Sequence, residues 1–526
     1  MIFTSPHAAV TIPDSPLSEY VLRSAEALGD KPALVDGPTG RTISYSQLPG
    51  LVRRLAVGLS QYGLGKGDVL AIYSPNLPEY GLACLAAASL GAITTMVPPL
   101  FTDGEIQIQL RDSGAQYLLT IPQLLPKAHS VVRATSIRQI FVIGDVDGET
   151  SFASLLESGE RVPPVNIDAR EDLAALPYSS GTTGFPKGVM LTHRNLVSML
   201  CQMREHDALK KTDTLACVVP MYHLYGLHIV VNLGLTQGAT IVTLPRYDFS
   251  QFLRTIEQYK VTVAPVVPPI VLALSRSTEV DSHDLSSLRL IHCGAAPLAE
   301  DVARACSTRL GCPIRYGYGL TEVSPLSHVS PPDPKKHKPG SVGFCLPNTE
   351  CKIVDYASGA ELGANEEGEI WVRGPQVMKG YLGEPGATTE MIDAEGWLRT
   401  GDIGYSDEEG ELFVVDRLKE LIKYKGRQVA PAELEAVLLL HPAIADAGVI
   451  PSPDDEGGDV PKAFVVLKAE ATAEEIIDFV ANRVAPHKKV RRVEFVSEIP
   501  KSPAGKILRR LLVQQERAKT ESSILP

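Results

Sequence analysis

The chain has 526 residues, of which 44% are hydrophobic and 21% are charged. This length exceeds one ordinary core, so we expect two or more domains, and the composition is that of a folded globular protein. The formal net charge of −12 argues against a general nucleic-acid-binding protein.

The N-terminus reads MIFTSPH and lacks a basic region followed by an apolar core, so no signal peptide is predicted. No run of about 18 apolar residues occurs, which argues against a membrane span. The cysteines form no CxxC pair and mostly lie in apolar surroundings. This pattern favours reduced thiols in a cytoplasmic protein over disulfides or a zinc site.

Short apolar runs alternate with amphipathic segments over most of the chain, which predicts an α/β fold with largely parallel sheets. The helical segments include 78–90 and 248–259. The predicted buried strands are 68–73, 139–143, 214–219, 239–244, 261–267 and 288–293.

The region 340–415 has shorter strands separated by glycines, which predicts a small antiparallel or β-barrel-like part. After Asp416 the pattern changes to strand, strand, helix and strand, and Thr472 with Glu475 forms a capping-box pattern at the helix start. We therefore expect a large N-terminal domain, 1–416, and a small α+β C-terminal domain, 417–526. The predicted strands of the region 340–415 are 350–354, 368–373 and 411–415. The predicted elements of the C-terminal domain are the strands 446–450, 463–468 and 491–496 and the helix 473–485.

The most informative segment is 178–188, YSSGTTGFPKG. Its glycines let successive N–H groups point into one concavity, its hydroxyls add donors, and Lys187 adds positive charge, so it predicts a phosphate site. It is not a Walker A loop, because a proline precedes the lysine and a glycine follows it. The alternative is a flexible surface loop.

Four later segments carry chemistry of the same kind, although each taken alone has a structural explanation as a turn or a solvated charged stretch. In YGYGLTE, 316–322, Thr321 can bond a phosphate and Glu322 can hold Mg²⁺. TGDIG, 400–404, offers a carboxylate for ribose hydroxyls. DRLKELIKYKG, 416–426, is rich in cations, and PKSPAGK, 500–506, ends on a lysine after a glycine.

Together and in this order, these segments resemble the adenylate-forming superfamily of acyl- and aryl-CoA ligases, nonribosomal adenylation domains and luciferase. The likeness covers nearly the whole chain and is strongest to 4-coumarate–CoA ligases and their bacterial relatives. The strings that carry it are YSSGTTGFPKGVMLTHRNL, PMYHLYG, GAAPL, YGYGLTE, RTGDIGY, VVDRLKELIKYKGRQVAPAELEA and PKSPAGKILRR.

The resemblance implies a two-step reaction that uses ATP, Mg²⁺ and coenzyme A. A carboxylic acid would form an acyl-adenylate and pyrophosphate, and a mobile C-terminal lid would then rotate at Asp416 for transfer to the thiol. Lys506, His223, Thr182 and Thr321 are the implied catalytic residues, and Glu322 is the implied Mg²⁺ ligand. The implied ATP or AMP residues are Ser179, Ser180, Gly181, Thr182, Thr183, Gly184, Lys187, Gly294, Ala295, Ala296, Pro297, Tyr316, Gly317, Tyr318, Gly319, Thr321, Asp402, Arg417, Lys419, Lys423, Gln428 and Lys506.

The resemblance also implies an acyl pocket and a coenzyme A path. Arg246, Lys425 and Gly426 are the implied coenzyme A residues. The implied acyl residues are His223, Tyr225, Gly226, Ile229, Gly294, Gly317, Pro325 and Leu326. No acid occurs between Pro220 and Asn232 to pair with an α-ammonium group, so we expect an aromatic or hydrophobic acid and not an amino acid.

Two other activities are open from the sequence. An acyl-AMP ligase that loads an acyl carrier protein would use the same thiol tunnel, and a luciferase-like enzyme would oxidise the adenylate. A non-catalytic binding protein is disfavoured because the phosphate loop and the terminal lysine are both intact.

Overall fold

A computed structural model describes residues 1–179, 186–204, 209–424, 427–454, 458–502 and 505–522. The architecture is mixed α/β, with a large N-terminal domain rich in sheet and a small C-terminal domain. The predicted fold class is therefore confirmed. Within these residues, no helix is both long and apolar enough to cross a membrane.

The largest sheet joins fourteen strands of the described chain. Its parallel half contains the buried runs predicted near 214–219, 239–244, 261–267 and 288–293, each slightly shorter than predicted. Apolar runs of this kind suit parallel strands covered on both faces. Across the sheet the strands are Ile2–Thr4, Glu350–Val354, Gly368–Arg373, Leu398–Ser406, Leu412–Arg417, Ser341–Cys345, His328–Val329, Ile314–Tyr318, Leu290–Cys293, Val263–Val266, Thr214–Cys217, Thr240–Thr243, Pro32–Asp36 and Thr42–Ser44.

The predicted antiparallel part at 340–415 is present, but it continues the large sheet. The short strand His328–Val329 pairs antiparallel with Ile314–Tyr318 on one side and with Ser341–Cys345 on the other. Two of its predicted strands, 350–354 and 368–373, have the predicted bounds. This junction brings the antiparallel strands close to the end of the parallel block.

The second sheet contains the predicted strands at 68–73 and 139–143. All five residues of Val69–Tyr73 are buried, and the helix Pro78–Ser89, with proline in its first turn, is buried along almost its whole length. The strands of this sheet are Tyr178–Ser179, Lys187–Thr192, Leu173–Ala175, Ile93–Met96, Val69–Tyr73, Tyr117–Thr120, Gln139–Val142 and Thr150–Ser151, with Gly380–Tyr381 paired to Lys187–Thr192.

Helices cover both sheets, and their local sequence explains where they begin. In Phe249–Tyr259 the Asp248 side chain accepts the Gln251 N–H at 2.8 Å, while one apolar face is buried. The other helices of the N-terminal domain are Leu17–Leu22, Leu48–Gln61, Asp103–Asp112, Leu125–Val132, Phe152–Leu155, His193–Arg204, Leu233–Gln237, Pro268–Arg276, Glu300–Leu310 and Pro385–Met391, with a π-helix at Tyr225–Asn232.

Short 3₁₀ turns connect several of these elements, and one of them carries two candidate site residues. Thr321–Val323 follows the strand Ile314–Tyr318 and contains Thr321 and Glu322. The remaining turns are Glu26–Leu28, Pro122–Leu124, Thr278–Ser282, Pro334–Lys336 and Pro486–Lys488.

The C-terminal domain has its own sheet and its own apolar core, which includes Leu434, Val465 and Ile476. The predicted capping box is confirmed. The Thr472 side chain accepts the Glu475 N–H, and the Glu475 carboxylate accepts the Thr472 N–H. The predicted helix 473–485 ends earlier, at Ala481. The elements of this domain are Ile422–Tyr424, Arg427–Val429, Pro431–Leu439, Ile444–Asp454, Gly458–Leu467, Ala473–Ala481, Arg492–Phe495 and Arg509–Ser522.

Candidate active site

A cavity of about 570 Å³ lies at the carboxyl ends of the parallel strands, where the C-terminal domain reaches the N-terminal domain. Ligands of open α/β sheets bind at such ends. Residues from distant parts of the chain converge here. The predicted site residues that line it are Ser179, Lys187, His223, Tyr225, Ile229, Gly294, Ala295, Tyr316, Gly317, Gly319, Thr321, Glu322, Pro325, Leu326, Arg417, Lys419 and Lys506.

One end of the cavity holds the two ends of the predicted phosphate loop. Ser179 and Lys187 are cross-strand partners in an antiparallel pair. The Ser179 hydroxyl donates a hydrogen bond to Glu322 Oε1 at 2.7 Å. A cation, a hydroxyl and a carboxylate therefore meet at one place. The predicted residues Ser180, Gly181, Thr182, Thr183 and Gly184 lie outside the described residues.

Tyr381 is a residue of this end that the sequence analysis missed. Its hydroxyl donates to the same Glu322 oxygen at 2.9 Å, and the Lys187 Nζ lies 5.3 Å from its ring centroid. Burial, followed by the charge of Glu322, raises the pKa of Tyr381, so the phenol remains a hydrogen-bond donor. Tyr381 is 59 residues from Glu322 in the chain, and no local pattern links the two.

Two loops form the middle of the cavity. The first follows the strand Leu290–Cys293, and the second follows the strand Ile314–Tyr318. Ala295 has φ +73°, a left-handed conformation that is uncommon for a residue with a Cβ. A Cβ at Gly319 would lie 2.0 Å from the Pro325 carbonyl oxygen, so this turn requires glycine. Ala296 and Pro297 continue the first loop, but they do not line the cavity.

Asp402 joins the second of these loops to the antiparallel strands. Its Oδ2 accepts the Tyr318 hydroxyl at 2.8 Å, and its Oδ1 lies 2.9 Å from Arg417 Nε. Asp402 is buried, whereas Arg417 lines the cavity and Lys419 beside it is exposed. The buried carboxylate therefore orients a cation towards the cavity.

The other end of the cavity is mostly apolar. The Tyr225 hydroxyl donates to the His292 carbonyl at 2.9 Å, which fixes its ring against the strands. Tyr225 also begins the π-helix Tyr225–Asn232, a rare form often found at functional sites. Burial lowers the pKa of His223 to about 4, so its imidazole is neutral at pH 7. Gly226 is a packing residue here, because a Cβ would lie 2.3 Å from the Pro220 carbonyl oxygen.

Lys506 enters the same cavity from the C-terminal domain. It follows Gly505, which has φ +77° and packs against Pro269, and the Ser502 N–H donates to the Lys506 carbonyl at 2.8 Å. Burial, and then the charge of Arg417, lower the pKa of the Lys506 ammonium. The lysine is therefore a partly desolvated cation whose backbone is bonded to Ser502.

Of the three predicted coenzyme A residues, Lys425 and Gly426 lie outside the described residues. The third, Arg246, is exposed after the strand Thr240–Thr243 and does not line the cavity. Lys423 and Gln428, which were predicted to contact AMP, are cross-strand partners in the C-terminal sheet.

The donor set at Glu322 fits Mg²⁺ bound together with a nucleotide. Mg²⁺ is usually held by one or two carboxylates together with substrate phosphates, and not by a cage of protein ligands. Where the structure describes side chains, no group of three His, Cys, Asp or Glu residues could hold a metal. A single carboxylate beside the phosphate end is therefore the expected arrangement.

Comparison with known families agrees with this geometry over most of the chain. Residues 21–382 match the AMP-binding enzyme family, and residues 433–506 match the AMP-binding enzyme C-terminal domain. The chain is 45% identical to 4-coumarate–CoA ligase 2 of Petroselinum crispum, over 100% of this chain and 98% of that protein. It is 43% identical to 4-coumarate–CoA ligase 5 of Oryza sativa subsp. japonica, over 99% and 98%.

Solved structures show the same fold. The anthranilate CoA ligase AuaEII in complex with anthranoyl-AMP has a TM-score of 0.90 at 27% identity, covering 97% of this chain and 99% of that one. ATP-bound MatB from Rhodopseudomonas palustris has a TM-score of 0.87 at 27% identity, covering 95% and 98%.

Proposed function

Because the chain belongs to the family of AMP-binding enzymes, we propose that it is an AMP-forming acid–thiol ligase. It activates a carboxylic acid with ATP and transfers the acyl group to the thiol of coenzyme A. The observation that carries the proposal is the convergence, in one cavity, of Lys506, the phosphate end at Lys187 and Glu322, and an apolar pocket.

In the first half-reaction, an oxygen of the carboxylate attacks the α-phosphorus of ATP. The bond from that phosphorus to the bridging oxygen breaks, and pyrophosphate leaves with the electron pair. Negative charge develops on the phosphoryl oxygens, so fixed cations and hydroxyl donors stabilise the transition state. We assign the bridge between carboxylate and α-phosphate to Lys506, and the α-phosphate contact to Thr321. Ser179–Lys187, including Thr182, holds the departing pyrophosphate.

We assign Glu322 to hold Mg²⁺, which neutralises phosphate charge when it is bound with ATP. Gly294–Pro297 and Tyr316–Gly319 form the walls of the adenine and acyl sites. Asp402 and Arg417 bind the ribose hydroxyls, and their 2.9 Å ion pair supports this role because it orients both groups.

In the second half-reaction, the coenzyme A sulfur attacks the acyl carbonyl, the bond to the phosphate oxygen breaks, and AMP leaves. We propose that residues 417–526 rotate at Asp416 between the two steps, which withdraws Lys506 and brings Lys423–Gln428 to the adenylate. Arg246, Lys425 and Gly426 then contact coenzyme A, and Lys419 contacts the nucleotide. The separate sheet and core of the C-terminal domain support a rigid-body movement.

The acid is aromatic or hydrophobic. His223, Tyr225, Ile229, Gly317, Pro325 and Leu326 line that end of the cavity, and His223 is neutral. The neutral imidazole orients the carboxylate by a hydrogen bond. The names of the curated relatives include 4-coumarate and CoA, which supports an aryl acid and the CoA acceptor over a carrier protein. A cytoplasmic location is supported by eight buried cysteines, none of them in a disulfide.

A panel of aromatic, medium-chain and amino acids, scored by pyrophosphate release with and without coenzyme A, tests the function. We expect release with an aromatic or hydrophobic acid, and thioester with free coenzyme A. Thioester formed only on an acyl carrier protein would move the enzyme to the loading class, and oxygen uptake by the adenylate would indicate an oxygenase. No pyrophosphate release with any acid would contradict the proposal.

A further inference from the structure

Tyr381 is a cavity residue that the roles given above do not use. Two contacts of its side chain bear on this end of the cavity, one from its hydroxyl to the Glu322 carboxylate and one from its ring to the Lys187 ammonium. We propose that Tyr381 is the positioning residue of the pyrophosphate end, which holds Glu322 for Mg²⁺ and Lys187 for the β- and γ-phosphates. This inference rests on the proposed function.

The hydrogen bonds to Glu322 are arranged on one side of its carboxylate. Ser179 and Tyr381 both donate to Oε1, at 2.7 and 2.9 Å, so neither of them uses Oε2. Donors to a metal-binding carboxylate fix its orientation, and the loss of one typically reduces metal affinity about 10- to 100-fold.

The backbone around Tyr381 holds the same three elements together. The Met378 N–H donates to the Glu322 carbonyl at 2.8 Å, and the Leu382 N–H donates to the Gly188 carbonyl at 2.8 Å. The strand Gly380–Tyr381 also pairs with Lys187–Thr192. The backbone of Tyr381 is therefore held between Glu322 and the strand that begins at Lys187.

The contact with Lys187 is of a different kind. A Lys ammonium 5.3 Å from a tyrosine ring centroid is within cation–π range, which limits where the flexible lysine side chain can point. Replacing Tyr381 with Phe removes the hydroxyl and keeps the ring. Replacing it with Leu removes both contacts. The two variants therefore separate the effect on Glu322 from the effect on Lys187.

The experiment measures Mn²⁺ binding by electron paramagnetic resonance in the presence of α,β-methylene ATP, which cannot release pyrophosphate. We expect Tyr381→Phe to weaken Mn²⁺ binding about 10-fold and to raise the Mg²⁺ concentration needed for adenylation by a similar factor. Tyr381→Leu adds a rise in the KM for ATP. Thioester formation from synthetic acyl-adenylate and coenzyme A stays unchanged in both, because that step has no pyrophosphate.

The control is Tyr45→Phe, which deletes another buried tyrosine hydroxyl. That hydroxyl donates to the Ala239 carbonyl at 2.6 Å, and Tyr45 does not line the cavity. It reports the general cost of losing such a bond, and thermal unfolding of all variants confirms that they are folded. Mn²⁺ binding by Tyr381→Phe equal to that of Tyr45→Phe overturns the inference. So does an equal loss in both half-reactions. Failure of the wild type to release pyrophosphate with any acid contradicts the proposed function instead.

Discussion

Replacing Lys506 with alanine tests the step on which the proposed chemistry depends. In the structure, Lys506 is a partly desolvated cation near Arg417, and its backbone carbonyl accepts the Ser502 N–H at 2.8 Å. A unit charge about 4 Å from the developing negative charge, at an effective dielectric constant of about 20, contributes ~4 kcal/mol. Single preorganised donors of this type contribute ~3–4 kcal/mol, so we expect adenylation to fall about 10²–10³-fold.

The assay measures the two half-reactions separately. Pyrophosphate release reports adenylation, and thioester formation from synthetic acyl-adenylate reports transfer, which Lys506→Ala should leave near the wild-type rate. Lys501→Ala is the matched control, because Lys501 lies in the same segment but pairs with Asp446 at 2.6 Å. A surface pair of this kind is worth about 0–1 kcal/mol. An equal loss in both half-reactions, or a similar loss in Lys501→Ala, would refute the assigned role.

Three further predictions concern the proton, the pocket and the C-terminal domain. Since burial and Arg417 lower the pKa of Lys506 below its ordinary 10.5, adenylation should fall as pH rises through that lowered value, and Lys506→Arg should move this limb of the pH–rate profile to higher pH. An unmoved limb would assign the titration to another group. Ile229→Ala enlarges the acyl end, so kcat/KM in a panel of acids should shift about 10-fold towards bulkier ones; an unchanged ranking would place Ile229 outside the acyl contacts. Thr472→Ala removes the cap bond to the Glu475 N–H at 3.2 Å, which should lower the free energy of unfolding in urea by about 1 kcal/mol with adenylation unchanged. Unchanged stability would contradict this reading of the cap.

Most of the fold was predictable because local patterns determine its elements. Continuous apolar runs gave strands such as Val69–Tyr73, and the Thr472 capping box was readable because both of its residues lie within one turn. The end of that helix was not predicted correctly, because Val484 continues the apolar pattern of Ile477 and Val480 beyond Ala481, where the helix stops. The union of the antiparallel strands with the large sheet was also missed, because pairing between distant strands leaves no periodic signal.

The candidate site shows the same division. Lys187, Thr321 and Lys506 line one cavity, as expected from the ordered motifs that contain them. By contrast, Tyr381 belongs to an ordinary Gly–Tyr pair in the sequence, and only the fold brings it to Glu322. Gly226 was predicted as an acyl-pocket residue, but its close approach to Pro220 depends on how the π-helix packs. The motifs thus predicted which residues would carry the chemistry, whereas the contacts of Tyr381 with Glu322 and Lys187 emerged only from the tertiary structure.

At the proposed hinge, the adjacent side chains of Asp416 and Arg417 bond to different domains. Asp416 Oδ2 accepts the Ala432 N–H at 2.9 Å, in the first turn of Pro431–Leu439, whereas Arg417 pairs with Asp402 of the N-terminal domain. A carboxylate at a helix N-terminus is stabilised by the helix dipole, so the Asp416 side chain is attached to the C-terminal domain.

A rotation at Asp416 therefore has to preserve one of these bonds and strain or break the other. Hydrogen bonds to charged groups contribute about 1.5–3 kcal/mol each. Two conformations that interconvert in solution differ by only a few kcal/mol. The loss of one such bond is thus large enough to favour the conformation that holds Lys506 in the cavity, and small enough for contacts with the acyl-adenylate and coenzyme A to offset.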